Sequence, residues 1–272
     1  MADRYGIFTE RAPDRFPKLV NLYEKSKRDF WNESTAIQWE REIELPPAKR
    51  EALARVLSIT YYGERAALAL AGQLVGSVKD EEARSALACQ VMEEARHVAA
   101  LQRLLTKLDR VYPPSFFARQ LLSDLLDTEE PVFKMVGMHL FIEVIANHSF
   151  HAIRESVHDP LTRQVLEYIQ RDEVKHVAIG VLYVPSLLEK LSTPDAARLL
   201  YKQLKWLALG LGMVKDGYEP ARVLGIDLAA AGQRAMREHH RVRAQLASHR
   251  GLLDVPGFEK VVDLIGRWAT PG

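Results

Sequence analysis

The chain has 272 residues, 47% hydrophobic and 27% charged, with a net charge of +1. That length supplies ample core for one large domain or two small ones, while the balanced charge excludes a nucleic-acid grip built on basic patches. A single cysteine, Cys89, rules out an internal disulfide or a four-thiolate metal site; no run nears the roughly 18 apolar residues that span a bilayer, and a charged opening (Met1-Ala-Asp-Arg) without a leader pattern points to the cytoplasm.

Helical periodicity runs the whole length, and no alternating run bounded by turn residues suggests a sheet. An accessory helix is expected over 12–30. Pro46-Pro47 opens a long helix running to about Ser77, and Lys79-Asp80 starts another that ends before Pro113-Pro114. A short helix follows over 114–127. Thr128-Glu-Glu-Pro131 places a capping residue, acidic groups and a first-turn proline ahead of a helix to about His158. Asp159-Pro160 opens the next, which reaches Pro185 or, kinked there, Lys190. Thr193-Pro194 starts another, and two more fill 227–248 and 255–268. The four central helices, of about 28–33 residues, would be roughly 40–50 Å long at 1.5 Å per residue. Short connections between rods of that length imply antiparallel neighbours. The expected architecture is all-α: one domain over 1–272, a four-helix core bundle at about 46–190, and accessory helices at 12–30 and 193–268.

Three Glu-x-x-His pairs occur, each on one helix face: Glu94–His97, Glu155–His158 and Glu173–His176. Glu155–His158 closes its helix just before Asp159-Pro160, where a histidine is explained by the helix dipole. The other two sit mid-helix among apolar residues. Each is preceded by a glutamate at the centre of an apolar run, Glu64 in TYYGERAALALAG and Glu143 in MHLFIEVIANHSF, and both lie 30 residues before Glu94 and Glu173 respectively. Hairpin turns near 77–80 and 159–160 bring each glutamate to the height of its partner. The chain thus reads as two copies of one helical hairpin, offset by 79 residues. Four carboxylates and two imidazoles inside a bundle are costly unless cations neutralise them. Two divalent ions balance four glutamates, and one Glu from each of two helices with Glu-x-x-His from the other two is the ligand set of di-iron and di-manganese bundles.

At these residues the sequence resembles the ferritin-like dinuclear-carboxylate superfamily, and within it the ribonucleotide reductase small subunits and related ligand-binding oxidases. Glu-Glu-Ala-Arg-His (93–97) and Asp-Glu-Val-Lys-His (172–176) are similar to its (Asp/Glu)-Glu-x-(Arg/Lys)-His motif, and Phe30-Trp31 is similar to the Phe-Trp preceding the first ligand helix of those small subunits. The likeness covers roughly 28–185; the last third matches only as more helix. It implies that Glu64, Glu94 and His97 hold one metal and Glu143, Glu173 and His176 the other. It further implies that Asp172 bonds the outer nitrogen of His97, with Trp31 donating to Asp172 along a path for electrons. Glu93 would serve His176 in the same way, with Arg96 and Lys175 neutralising the outer carboxylates. Departures narrow the function. Leu101 stands where a reductase small subunit has its radical tyrosine, and Glu64 where it has aspartate. Ala66 and Met138 stand at the cross-linked Val–Tyr positions of the ligand-binding oxidases, and Ile169 replaces the extra histidine of arylamine N-oxygenases.

A carboxylate-rich, histidine-poor site suits iron first and manganese second. The expected function is an O2-activating oxidase or oxygenase with two Fe ions, or a Mn/Fe pair, acting on a small organic substrate, with an apolar one such as a fatty acid among the options. It would take electrons from an external donor and form a homodimer. Iron storage by a ferroxidase, and a radical-generating subunit, are the rival readings. A substrate pocket is expected on the side away from the histidines, lined by Ala67, Leu68, Ala71, His139, Ala146, Asn147 and Phe150. Asn147 is expected to help manage oxygen and protons. His139 is expected as a further ligand or an outer base, or else simply bonded to a neighbouring carboxylate. Tyr61 and Tyr183 face the metals by helical phase and could be redox-active, against the commoner role of a core tyrosine with a satisfied hydroxyl.

Overall fold

The computed structural model describes residues 15–245 and Lys260. Helices α1 (Pro17–Arg28), α2 (Pro47–Ser77), α3 (Glu81–Lys107) and α4 (Phe116–Leu126) come first. They are followed by α5 (Pro131–Gly137), a π-helical turn (Met138–Ile142), α6 (Glu143–Ser156), α7 (Pro160–Leu188), α8 (Thr193–Leu224) and α9 (Leu228–Gln245). Among the described residues there is no strand, as the sequence pattern predicts. Apart from Lys260, the helix expected over 255–268 falls outside the described residues.

Helix starts follow local chemistry. Pro47, Pro131 and Pro160 each occupy a first turn, where a missing N–H is harmless. Asp159 caps α7 by accepting the Thr162 N–H at 2.7 Å, and Ser115 caps α4 through Ala118. Gly225, at φ +76°, closes α8 in the left-handed conformation that glycine adopts without strain. Pro185 lies inside α7, which continues to Leu188.

The expected continuous helix from Thr128 to His158 is corrected here: α5 and α6 are separated by the π turn immediately before Glu143. The reason lies in packing against α7. A Cβ at Gly180 would fall 2.5 Å from the His139 Cβ and 3.1 Å from Leu140 Cδ2, so the widened turn fills the groove that this glycine opens.

The core bundle is α2 against α3 and the α5–α6 rod against α7, with α3 and α7 joining the two hairpins. Helix α1 lies across α3 and α7, α8 covers α2 and α4, and α9 packs on α6. Two apolar clusters fill the interior. One holds Leu70, Leu74, Leu87, Phe133, Val184 and Trp206; the other holds Leu53, Leu57, Leu101, Leu104, Phe150 and Leu166. On α2, α3, the α5–α6 rod and α7 the chain passes from one cluster to the other through a short buried polar stretch, so a polar layer crosses the bundle at mid-height.

Candidate metal centre

Glu64, Glu94, His97, Glu143, Glu173 and His176 form that layer, and none exceeds 3% exposure. His97 turns Nδ1 inward, 3.0 Å from Glu64 Oε2, 3.1 Å from Glu173 Oε1 and 3.4 Å from Glu94 Oε2. His176 does the same, with Nδ1 3.2 Å from Glu94 Oε1, 3.4 Å from Glu173 Oε2 and 3.9 Å from Glu143 Oε2. Glu94 and Glu173 therefore lie between the imidazoles, while Glu64 and Glu143 sit at opposite sides. Two groups of donor atoms gather within 4.8 Å of one another: Glu64, Glu94, His97 and Glu173 in one, Glu94, Glu143 and His176 in the other.

Several of these atoms crowd together without bonding. Glu94 Oε2, both oxygens of Glu173 and His176 Nδ1 are buried and make no hydrogen bond. Buried polar atoms are nearly always satisfied, so four orphans in one spot require another partner. Two ligand atoms at right angles around an ion, each about 2.1 Å from it, stand about 3 Å apart. The observed separations fit that spacing, and the donor set fits two hard, redox-capable cations.

The electrostatics of the ion-free cluster point the same way. Burial, then the neighbouring carboxylates with Glu173 foremost, hold Glu64 and Glu143 well above the usual carboxylate range. Burial alone would lower His97, but the neighbouring carboxylates Asp172, Glu173 and Glu64 raise it well above the usual range. His176 is raised against burial by Glu94 and Glu173.

The outer nitrogens are held by a second tier. His97 Nε2 lies 3.2 Å from Asp172 Oδ2 and His176 Nε2 lies 2.8 Å from Glu93 Oε2. An imidazole that donates through Nε2 presents the Nδ1 lone pair inward. Asp172 also accepts from Trp31 Nε1 at 2.8 Å and Arg96 at 3.0 Å on Oδ2, and from Lys175 at 2.8 Å on Oδ1. Lys175 bonds Glu93 as well. Against the cost of burial, these partners hold Asp172 well below the usual carboxylate range, His97 first and Lys175 next. The indole of Trp31 lies nearly parallel to the His97 ring, centroids 6.4 Å apart.

Other expected residues go elsewhere. His139 touches no carboxylate and none of the inward donor atoms. Its Nε2 is 2.9 Å from Gln90 Oε1 and its Nδ1 is 3.3 Å from the Met135 carbonyl. Burial and the nearby His176 push its pKa down to about 3. Asn147 is also drawn away: its Oδ1 accepts from Gln170 Nε2 at 3.0 Å, in a polar link between α6 and α7 that continues to Arg154. Tyr183 donates to Asp80 at 2.8 Å, near the start of α3, and Tyr61 packs with Tyr62 and the second apolar cluster. Ala67 and Ala71 belong to the first apolar cluster, Phe150 to the second. A hollow of about 540 Å³ lined by Arg41, His158, Arg163 and Glu167 shares no residue with the carboxylate layer. Glu155 and His158 are exposed, away from it.

Sequence reasoning missed Gln90. It is fully buried, and its Nε2 donates to Glu94 Oε1 at 3.0 Å and Glu143 Oε1 at 2.8 Å. Its place one turn before Glu94, on the face that also carries Leu87, His97 and Leu101, was the available signal.

No family model and no curated protein matches the sequence. Solved structures do. A variant R2-like ligand-binding oxidase with an anaerobically reconstituted Mn/Fe cofactor superposes at TM-score 0.62 and 15% identity, over 93% of this chain and 99% of that one. An R2-like ligand-binding oxidase with an aerobically reconstituted Mn/Fe cofactor gives TM-score 0.60 at 15% identity, over 93% and 98%. A protein with aldehyde deformylating oxidase activity from Synechococcus gives 0.55 at 19%, over 82% and 95%. The class defined is a ferritin-like helical bundle, the fold shared by these oxidases.

Proposed function

We propose that this protein is an O2-activating oxidoreductase. Glu64, Glu94, His97, Glu143, Glu173 and His176 would hold two Fe ions, alternatively a Mn/Fe pair, and the substrate is a small organic molecule. One observation carries this reading: four buried carboxylates and two imidazoles converge at one height of a ferritin-like bundle with donor atoms left unbonded. Two such ions, when bound, would supply the redox chemistry that activates O2 for attack on C–H or N–H bonds. The chain's own residues do the rest. His97 and His176 offer neutral nitrogen donors, oriented by Asp172 and Glu93. Arg96 and Lys175 balance those two outer carboxylates, so the four inner glutamates alone face the ions. The two apolar clusters keep bulk water from the layer. Trp31, bonded to Asp172, offers a route for electrons from an external donor.

The Mn/Fe cofactors of the R2-like oxidases and the oxidase activity of the Synechococcus protein support the reading. With it go a single domain over 1–272, a homodimer, and a cytoplasmic location; among the described residues no helix is long and apolar enough to cross a membrane. The test is metal content and O2 uptake together. Glu94→Ala and Glu173→Ala should each lose stoichiometric metal while keeping their helicity, and the reduced, iron-loaded wild type should consume O2. Full metal content in both variants overturns the ligand set; loaded protein inert to O2 overturns the oxidase.

A further inference from the structure

The two hairpins repeat closely around the layer. At the 79-residue offset Glu64 matches Glu143, Glu93 matches Asp172, Glu94 matches Glu173, Arg96 matches Lys175 and His97 matches His176. Two buried polar residues beside the layer depart from the repeat. Gln90 matches Ile169, a fully buried apolar residue, and His139 matches Thr60, whose hydroxyl bonds the Leu57 carbonyl of its own helix. The pair that breaks the symmetry is the pair in contact, Gln90 with His139 at 2.9 Å.

A primary amide has two donors and one acceptor group. The His139 imidazole occupies the acceptor side of Gln90, which turns both amide hydrogens toward Glu94 and Glu143. Neutral His139 carries one N–H, which on Nε2 serves Gln90, and its ring is seated by close packing on the backbone of Gly180, where no side chain intervenes. We propose that Gln90, oriented by His139, is a positioning residue that ties Glu143 to Oε1 of Glu94, the oxygen facing His176, and makes the Glu143–His176 metal position depend on it, while the Glu64–His97 position, which meets Glu94 through Oε2, does not. This inference rests on the dinuclear reading above. On the Glu64 side no amide plays that part: Glu64 bonds His97, and Ile169 can offer nothing.

The probe is Mn2+, titrated into metal-free protein and followed by the electron paramagnetic resonance signal of the free ion. Wild type should take up two ions per chain. Gln90→Leu should keep one at wild-type affinity and bind the other about 10–100-fold more weakly, the usual cost of losing a partner that orients a ligand. His139→Leu should weaken the same ion, and His139→Gln, which restores a donor toward the Gln90 carbonyl, should recover part of the loss. A core defect would instead weaken both ions together with the melting point of the metal-free chain, and that result overturns the proposal. So does Gln90→Leu binding both ions like wild type. If wild type itself fails to bind two ions, the dinuclear reading falls and the inference with it.

Discussion

Replacing Gly180 with alanine tests how the π turn is seated. The new Cβ would stand 2.5 Å from the Cβ of His139 and 3.1 Å from Leu140 Cδ2. Carbon atoms rest at about 3.5–4.0 Å, so α7 and the π turn must separate by about 1 Å or more. Neither neighbour gives easily, since His139 is fully buried and Leu140 packs on the first apolar cluster. Overpacking of this kind costs about 1–3 kcal/mol. At about 2–4 °C per kcal/mol for a chain approaching this size, the melting temperature should fall by about 2–12 °C. The same displacement carries His139 Nε2 from 2.9 Å to beyond bonding distance of Gln90. Calorimetry of the metal-free variant and its Mn2+ titration give the two readings. A melting point within a degree of wild type, with both ions bound normally, would refute the close approach on which the reasoning depends.

Trp31→Phe removes the indole donor to Asp172 but leaves its bonds to Arg96, Lys175 and His97; the variant should retain both metals and be reduced more slowly by a chemical donor, and unchanged reduction kinetics excludes Trp31 from the electron route. In metal-free protein Glu64, Glu143, His97 and His176 all have raised pKa values, so above about pH 7, where the lowered groups Glu93, His139, Asp172 and Glu173 are largely deprotonated in both states, the folded chain holds more protons than the unfolded one. The stability linked to those protons is complete below the unfolded values, about 4.3 and 6.5, and is lost as pH rises through the folded values. Melting curves in chelator from about pH 7 to 9 should therefore fall while those of the metal-loaded protein hold; a metal-free protein that gains stability over that range contradicts the charge crowding. Sedimentation should give a species of twice the 30.8 kDa chain mass, whereas a large shell would return the protein to iron storage.

The six residues of the layer were legible because helical rise converts sequence distance into height. Thirty residues from Glu64 to Glu94, folded at a turn near Ser77, leave little freedom once both flanks are apolar. Proline marked the helix starts for a similar local reason. The π turn was not legible: MHLFI contains no punctuating residue, and its partner Gly180 lies some forty positions later. That turn also misled the reading of His139. One added residue in a turn swings the upstream face by up to about 100°, so a histidine expected beside Glu143 on the metal face meets Gln90 instead. Helical phase gives a direction but not a partner: Asn147 bonds Gln170, and Tyr183 takes the commoner role of a core tyrosine with a satisfied hydroxyl, here bonded to Asp80.

Glu93, Arg96, Asp172 and Lys175 close their charges among themselves, all within the protein. A zinc finger has to fold around its ion, because nothing else brings its ligands together. Here each imidazole is gripped from behind by a carboxylate of the protein itself, Asp172 or Glu93. Loading is then an exchange of protons for metal at a finished seat, so an emptied centre should refill without the chain having to unfold.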